Sequence, residues 1–299
     1  MAESLEYTEL EARYQRYREI LKNLTLMSDI FMRNVLKQKE CTEHILRVIM
    51  GRDDLKVLEQ VLQKDYKNLQ GRSAILDCVV RDGDGKQFDV EIQQENEGAS
   101  PKRARYHAGL MDMNTLNPGE DFDELPECHV IFITQRDVLR RNLPIYHIDR
   151  TIRESGENFG DESHIIYVNS SRQEDTPLGR LMHDFHCKSA ADIRNDVLAK
   201  RVRELKETQE GVEYMCKEMD QIYQEGAVQG RKEGRAEGRA EGRAEGRVEG
   251  RIEGEMTAKK NMAMSLAGMG LSAEKIAEAA KVSVQLVQEW LMGKTDLAK

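Results

Sequence analysis

The sequence predicts an α/β fold in which a mixed central sheet is flanked by helices and followed by a mainly helical C-terminal extension. Three observations lead to this fold class. The stretch from Leu5 to Leu26 is rich in Glu, Arg, Leu and Tyr and contains neither Gly nor Pro, which is typical of a helix. Several β-rich stretches follow from Lys56 onwards, and a helical pattern returns after about residue 178.

Composition and charge exclude some classes of protein. The chain has 299 residues and a mass of 34.3 kDa, with 45 Lys and Arg against 54 Asp and Glu, so its formal net charge is −9. This balance argues against a protein that coats nucleic acid by bulk charge, although a local basic patch would suffice for a nuclease. No apolar run approaches the roughly 20 residues that span a bilayer. The first residues lack the pattern of a signal peptide, so we expect a cytoplasmic protein without membrane contact.

Cysteine and histidine spacing gives little support for a structural zinc site. The five cysteines are scattered without a CxxC pair, so we expect free and mostly buried thiols. His183 and His186 share a helical face, but no second pair of ligands accompanies them. The chain also has no GxxxxGK[ST] loop, so no nucleotide cofactor is expected.

The order of the predicted elements places the strands in the middle of the chain. Residues 1–55 are predicted as N-terminal helices that pack on the core formed by residues 56–200. Within that core a helix should run from Pro101 to about Leu116. The predicted strands lie at Val57–Leu62, Ala74–Val80, Gln87–Gln93, His129–Thr134, Ile145–Ile148 and His164–Val168.

The sequence Asp82-Gly83-Asp84-Gly85 is a hairpin signal whose register can be predicted. A two-residue turn would place Asp77 opposite Val90 and put a carboxylate on the apolar face, which is costly. A loop of residues 83–85 instead places Asp77 opposite Glu91, with Gly85 as the left-handed residue that such a loop needs. We favour the second register because it separates polar from apolar side chains.

In the favoured register two carboxylates face each other. Opposite residues of a hairpin have Cβ atoms about 4.5–5.5 Å apart, so Asp77 and Glu91 would repel each other. A divalent cation between them would remove this repulsion, and Mg²⁺ prefers oxygen ligands of this kind. The alternative interpretation is a solvated outer face of the hairpin without a ligand.

The residues around this hairpin resemble a known family. The stretch ILDCVVRDGDGKQFDVEIQQ, followed by KRARYHAGLMDM, resembles the core of the PD-(D/E)XK nuclease superfamily. More narrowly, it resembles the bacterial family of recombination-promoting nucleases and putative transposases, whose helical opening is similar to SDIFMRNVL in this chain. The resemblance covers roughly residues 25 to 200.

The resemblance implies a site and a chemistry. It implies an αβββαβ topology and hydrolysis of DNA phosphodiesters with Mg²⁺, or with Mn²⁺ in its place. Asp77 corresponds to the strand aspartate of the superfamily, and Glu91-x-Gln93 to its ExK motif. The implied catalytic residues are therefore Asp77, Glu91 and Gln93. The implied metal ligands are Asp77, Glu91 and Asp29, the last of these from the preceding helical region.

Position 93 departs from the superfamily pattern, because Gln replaces the usual Lys. Its amide can orient a water molecule but carries no charge. A basic residue of the next helix could compensate, and Arg103 and Tyr106 match residues that the family tends to carry there. Both are candidates for binding a DNA phosphate. The competing interpretation of Arg103 is an ion pair with Glu91, Glu95 or Glu97.

Residues 201–254 contain a helix and a glycine repeat. Gly recurs at every fourth position from Gly226 to Gly254, mostly as GRAE. Each Gly inside a helix costs roughly 1 kcal/mol relative to Ala, so an isolated helix is not expected. The alternatives are a flexible linker and a helix that associates with a second copy of the chain.

Residues 255–299 are predicted as a tail similar to a helix-turn-helix, with Ile276, Ala277, Val287 and Trp290 in its small core. Its second helix offers no Lys or Arg, so we favour packing or dimerisation over DNA reading.

Together these features predict a Mg²⁺-dependent DNA endonuclease that promotes recombination or transposition, with DNA and further copies of the chain as partners. The alternative is a catalytically weak DNA-binding or oligomeric interaction protein of a mobile element or defence system.

Overall fold

A computed structural model describes residues 2–66, 72–94 and 96–293. The α-helices are α1 (Ala2–Asn23), α2 (Asp29–Val35), α3 (Lys39–Met50), α4 (Pro101–Met113), α5 (Pro177–His186), α6 (Asp196–Glu207), α7 (Gln209–Gly268), α8 (Ala273–Ala280) and α9 (Val284–Leu291). The strands are β1 (Val57–Tyr66), β2 (Ala74–Asp82), β3 (Gln87–Gln93), β4 (Cys128–Thr134), β5 (Ile145–Ile148) and β6 (Ser163–Asn169).

The strands form one mixed sheet with the order β1-β2-β3-β4-β6-β5. β1, β2 and β3 are antiparallel neighbours, β3, β4 and β6 run parallel, and β5 is antiparallel to β6. The segment from α3 to β4 therefore has the implied αβββαβ order, with α4 as the crossover between two parallel strands. The predicted α/β class with a mixed sheet is confirmed.

The two faces of the sheet belong to two apolar clusters, because side chains alternate along each strand. Val80, Phe88 and Ile131 face a cluster that includes α1, α2, α3, α5, α6 and the beginning of α7. Val79 and Phe132 face a second cluster built around α4. β4 is buried along its whole length, as expected for an interior strand with a parallel neighbour on each side.

The hairpin between β2 and β3 has the favoured register. Val79 pairs with Asp89 and Cys78 with Val90, so the two-residue turn is excluded. Gly85 has a φ of +86°, which is the left-handed conformation that the longer loop needs. The Asp82 carboxylate accepts hydrogen bonds from the backbone N–H of Asp84 and Lys86 and thereby fixes the turn.

Some boundaries differ from the prediction. β1 extends to Tyr66 rather than Leu62, because it pairs with β2 as far as Ala74. The crossover helix α4 ends at Met113 rather than near Leu116, where Thr115 turns its hydroxyl back to the carbonyl of Met111. All five cysteines are free; Cys187 is half-buried and the others are buried, as expected.

The chain divides into two compact units, one up to Ile222 and the other from Tyr223. α7 is continuous through the glycine repeat, so the structure has a helix in a segment where an isolated helix was not expected. A Cβ at any glycine from Gly226 to Gly254 would meet no atom within 4 Å. Within the described residues, the glycines therefore serve no close packing inside the chain, and association between chains stays a prediction.

The tail forms the predicted small core. Ile276, Ala277, Val287 and Trp290 are buried together with Ala263 from the end of α7. Ser283 caps α9 by accepting a hydrogen bond from Leu286, whereas Ser272 precedes α8 without such a bond. No helix among the described residues combines the length and apolarity needed to cross a membrane.

Candidate active site

The carboxylates of the β2–β3 hairpin form a buried acidic cluster. Asp89 and Glu91 are 0 % exposed and Asp77 is half-buried. Asp89 and Glu91 share a face of β3 because they are two residues apart, and the hairpin register brings Asp77 of β2 alongside. Three carboxylates thus lie where an ordinary sheet would bury apolar side chains.

Glu91 is held by three groups. Its Oε1 accepts a hydrogen bond of 2.9 Å from the backbone N–H of Asp77. Its Oε2 accepts from Arg103 Nη2 at 3.1 Å and from Gln93 Nε2 at 3.5 Å. These contacts orient the carboxylate, and Arg103 is its cationic partner.

Asp77 lies between the hairpin and the N-terminal helices. Its Oδ1 accepts from Gln63 Nε2 at 3.0 Å, and its Oδ2 accepts from the backbone N–H of Ile92 at 3.4 Å. Asp29 lines the same small cleft, but its carboxylate pairs with Arg33 at 2.5 Å on the exposed surface of α2. Asp29 is thus a neighbour of Asp77 whose carboxylate is already paired with the guanidinium of Arg33.

Asp89 and His107 form a second buried pair beside Glu91. His107 Nδ1 donates to Asp89 Oδ2 at 2.9 Å, while His107 Nε2 accepts from Arg103 Nε at 3.2 Å. These two bonds define the tautomer of a neutral imidazole with its proton on Nδ1. Asp89 Oδ1 is buried and has no hydrogen-bond partner within the described part of the chain.

Burial dominates the protonation of this cluster. Burial, and then the charges of Asp89 and Asp77, raise the pKa of Glu91 to about 9. Burial and the charge of Asp29 raise the pKa of Asp77, and burial and the charge of Asp77 raise the pKa of Asp89 well above its usual range. Burial lowers the pKa of His107, which agrees with its neutral tautomer. The positive charge near the cluster is therefore too small to keep all of its carboxylates ionised.

A groove with basic walls adjoins the acidic cluster. Arg103 belongs to both, because it binds Glu91 and also lines the groove. Tyr106 lines the groove and donates its hydroxyl to the backbone carbonyl of Arg72. The cationic residues along this groove are Arg72, Lys102, Arg103 and Arg105. An acidic cluster beside cations is the arrangement expected for a metal ion next to a phosphate.

Comparison with known proteins gives one family match. The model of the PD-(D/E)XK nuclease family transposases matches residues 38–176, which contain β1 to β6, α4 and the acidic cluster. This part of the chain is therefore similar to that family. No curated protein and no solved structure matches the chain.

Within the PD-(D/E)XK nuclease region, the structure brings together most of the residues that the sequence singled out. Asp77, Glu91 and Gln93 are contiguous, and Arg103 contacts Glu91 directly. Arg103 therefore forms the ion pair with Glu91 that was the alternative to phosphate binding, and it also lines the basic groove. Of the other proposed partners, Glu95 and the side chain of Glu97 lie outside what the structure describes. Gln94 donates to the carbonyl of Met27 at 2.8 Å and does not take the place of Gln93.

Two residues of the PD-(D/E)XK nuclease cluster were missed by the sequence analysis. Asp89 alternates onto the same face as Glu91, but it was not included among the site residues. His107 follows Arg103 by one helical turn, and only the crossover from β3 to α4 brings it to Asp89. The signal for Asp89 was present in the hairpin register, whereas no local signal pairs residues 89 and 107.

The two histidines of α5 have different partners. His186 Nε2 lies 2.9 Å from Ser170 Oγ, whereas His183 contacts Asp184 and Cys187. Both oxygens of Asp184 are occupied by the backbone N–H groups of Arg194 and Asn195. Asp184 is therefore committed to fixing the turn before α6.

Proposed function

We propose that this protein is a Mg²⁺-dependent DNA endonuclease that acts in recombination or transposition, with Mn²⁺ able to replace Mg²⁺. The observation that carries the proposal is the buried cluster of Asp77, Asp89 and Glu91 with raised carboxylate pKa values. A purely structural sheet gains nothing from placing two buried carboxylates and a half-buried one side by side. A divalent cation would explain all three.

The donor atoms of the cluster fit Mg²⁺. All three side chains offer oxygen, and Mg²⁺ takes oxygen ligands and is commonly held by one or two carboxylates together with substrate phosphates and water. Asp89 Oδ1 is a buried oxygen without a partner within the described residues, so it has capacity for a further bond. We assign Asp77 and Glu91 as ligands and Asp89 as an additional one, with Asp29 as an outer carboxylate.

The chain's own residues prepare the site for phosphodiester cleavage. When bound, Mg²⁺ supplies Lewis-acid activation of the phosphate and of a water molecule. His107 holds Asp89 in orientation, and Arg103 is hydrogen-bonded to Glu91 until a phosphate competes for the guanidinium. Gln93 orients the attacking water through its amide, since it has no charge and cannot serve as a general base. In this mechanism Arg103 and Tyr106 bind the DNA backbone.

DNA as the substrate is supported by the basic groove. The formal net charge of the chain is −9, so the cations of the groove attract a polyanion only locally. Contacts with phosphates supply affinity without reading sequence. We therefore expect binding that weakens with salt and depends little on DNA sequence.

One observation favours a second candidate, a catalytically weak DNA-binding protein. Gln93 stands where the superfamily usually has Lys, so the positive charge that would stabilise the transition state is missing at this position. Such a protein would bind DNA through the same groove and cleave it slowly or not at all.

A nicking assay on supercoiled plasmid with Mg²⁺, Mn²⁺ or EDTA tests the proposal. The Asp77→Ala and Glu91→Ala proteins should remain folded, bind DNA and lose nicking, whereas EDTA should abolish nicking by the wild type. The matched control is Glu59→Ala, which removes an exposed carboxylate from β1 of the same sheet. Wild-type binding without nicking would favour the second candidate. Equal nicking by Glu91→Ala would refute the site.

A further inference from the structure

A second group of metal-ligating side chains lies at the amino ends of two parallel strands. His129 on β4 pairs directly with His164 on β6, and Glu127 immediately precedes β4. Glu127 Oε1 lies 3.0 Å from His129 Nε2 and 3.6 Å from His164 Nε2. One ligand atom from each of the three residues lies within 4.8 Å of the other two.

This group is separate from the acidic cluster. On β4, His129 pairs with Phe88 of β3, whereas Phe132, three residues further along β4, pairs with Glu91 of the acidic cluster. Three residues of parallel strand correspond to about 10 Å. His129 also lies on the face of the sheet that carries Phe88, on which its ring is stacked, and not on the face of α4.

Neighbouring side chains orient two of the three ligand groups. His164 Nδ1 lies 2.6 Å from Asp149 Oδ1, which fixes the proton on Nδ1 and turns the Nε2 lone pair towards Glu127. Lys86 pairs with Glu127 Oε2 and leaves Oε1 available. A carboxylate that holds the far nitrogen of a histidine is the usual outer partner of a metal-binding imidazole.

When the His164 imidazole is neutral, its contact with Glu127 requires a cation between the two facing atoms. With the proton on Nδ1, the Nε2 lone pair of His164 faces a carboxylate oxygen at 3.6 Å, and the two repel each other. Tetrahedral coordination at 2.0–2.1 Å places ligand atoms about 3.3 Å apart. The two measured separations, 3.0 and 3.6 Å, lie on either side of this value.

We propose that Glu127, His129 and His164 bind one divalent transition-metal ion of the zinc class, with Asp149 as the positioning residue of His164. Two imidazole nitrogens and one carboxylate oxygen suit Zn²⁺ and similar first-row ions rather than Mg²⁺. The ring of His129 is held by stacking on Phe88 at 4.9 Å and not by a bond at Nδ1, which lacks a partner among the described residues. The ion ties the beginnings of β4 and β6 together and leaves a coordination position for water.

Titration of the full-length protein with Co²⁺ tests this site, because tetrahedral Co²⁺ has visible absorption bands that Zn²⁺ abolishes on displacing it. We expect one Co²⁺ per chain with these bands, and we expect the same bands from Glu91→Ala. His164→Ala and Glu127→Gln should weaken binding at least 100-fold, and Asp149→Asn by about 10- to 100-fold. The matched control is His147→Ala, an exposed histidine on the neighbouring strand β5, which should bind as the wild type does.

Two outcomes would overturn the proposal. The first is that the wild-type protein shows no Co²⁺ absorption bands, or shows bands that Zn²⁺ does not abolish. The three side chains would then be a hydrogen-bonded cluster that contains a protonated histidine and no metal ion. The second is unchanged binding by His164→Ala. If circular dichroism shows that His164→Ala does not fold, Glu127→Gln and Asp149→Asn are tested by the same Co²⁺ titration and Zn²⁺ displacement. Unchanged Co²⁺ binding by both variants would then overturn the proposal.

Discussion

Glu91 shows at the scale of one residue how burial controls protonation. Its side chain is 0 % exposed, and its strongest partner, Arg103, is itself 38 % exposed and shared with His107 and the carbonyl of Gly98. Such a partner compensates only part of the cost of burying a charge. The carboxylate therefore keeps its proton well into the neutral range.

The stability of the metal-free protein should fall as the pH rises. The pKa of Glu91 is raised from 4.5 to about 9, so between these values the folded chain binds a proton that the unfolded chain has released. The resulting stabilisation is fully present below the lower value and is lost progressively as the pH rises to the upper one.

Thermal melts in EDTA at pH 6 and pH 8.5 measure this effect. Glu91→Gln should flatten the dependence, because the amide has no proton to lose in this range. A Glu91→Gln protein whose melting temperature falls as steeply as that of the wild type would show that another group is responsible.

Gln93 offers a test of how water is positioned. Gln93→Ala should lower cleavage by roughly ten- to a thousandfold, which is typical of one lost hydrogen-bond donor. Gln93→Lys should preserve or raise activity, since it restores the usual charge. Single-turnover nicking rates at saturating Mg²⁺ measure both effects, and an unchanged rate for Gln93→Ala would remove this residue from the mechanism.

Gly98 provides an indirect control for Gln93. A Cβ at position 98 would lie 1.9 Å from Gln93 Oε1, at the movable end of that side chain. Gly98→Ala should therefore displace the amide and reduce nicking with little change in melting temperature.

At the scale of elements, the β2–β3 hairpin determines which side chains meet. Its turn depends on Gly85, whose φ of +86° is unfavourable for any residue with a Cβ. Gly83 is in the same turn without a left-handed φ, and at both positions a Cβ would meet nothing within 4 Å. The two glycines therefore differ only in backbone conformation.

Replacing these glycines separates backbone strain from packing. Gly85→Ala should lower the free energy of unfolding by about 1 kcal/mol, whereas Gly83→Ala should change it by no more than about 0.5 kcal/mol. Urea denaturation measures both differences. Equal effects would mean that the left-handed residue does not determine the turn.

This hairpin could be predicted from sequence because the turn residues and the alternation agree on one register. Other features could not be predicted in this way. Gln63 adopts a φ of +50° opposite Asp77, a conformation that residues other than Gly rarely adopt. The contact between Asp89 and His107 likewise depends on the path of the chain after β3. Local sequence patterns contain no information on either contact.

At the scale of the whole molecule, two units can be separated at Ile222. The first contains the acidic cluster, the basic groove and the start of α7, where Met215, Cys216 and Met219 pack into the first apolar cluster. The second contains the glycine repeat and the helical tail. The repeat has no close contact at its glycines within the described residues, so its role is expected to lie between chains.

Truncation after Ile222 should leave a folded protein that still cleaves DNA with Mg²⁺ at high concentration. We expect a smaller oligomer and lower DNA affinity, because the associating helix is removed. Sedimentation equilibrium and the nicking assay on the same protein measure these effects. A second truncation after Gly254 keeps the repeat and distinguishes its contribution from that of the tail. A full-length monomer would contradict association through the glycines.

The order of strands also has a consequence for synthesis on the ribosome. The β2–β3 hairpin can close within about 1–10 μs, but the other neighbour of β3 is β4, which emerges roughly forty residues later, some 2–8 s at typical rates of translation. During this interval one edge of β3 is unpaired, and unpaired apolar edges recruit other chains. The nascent protein should therefore depend on chaperones, and slower elongation between Gln93 and Cys128 should increase aggregation during expression.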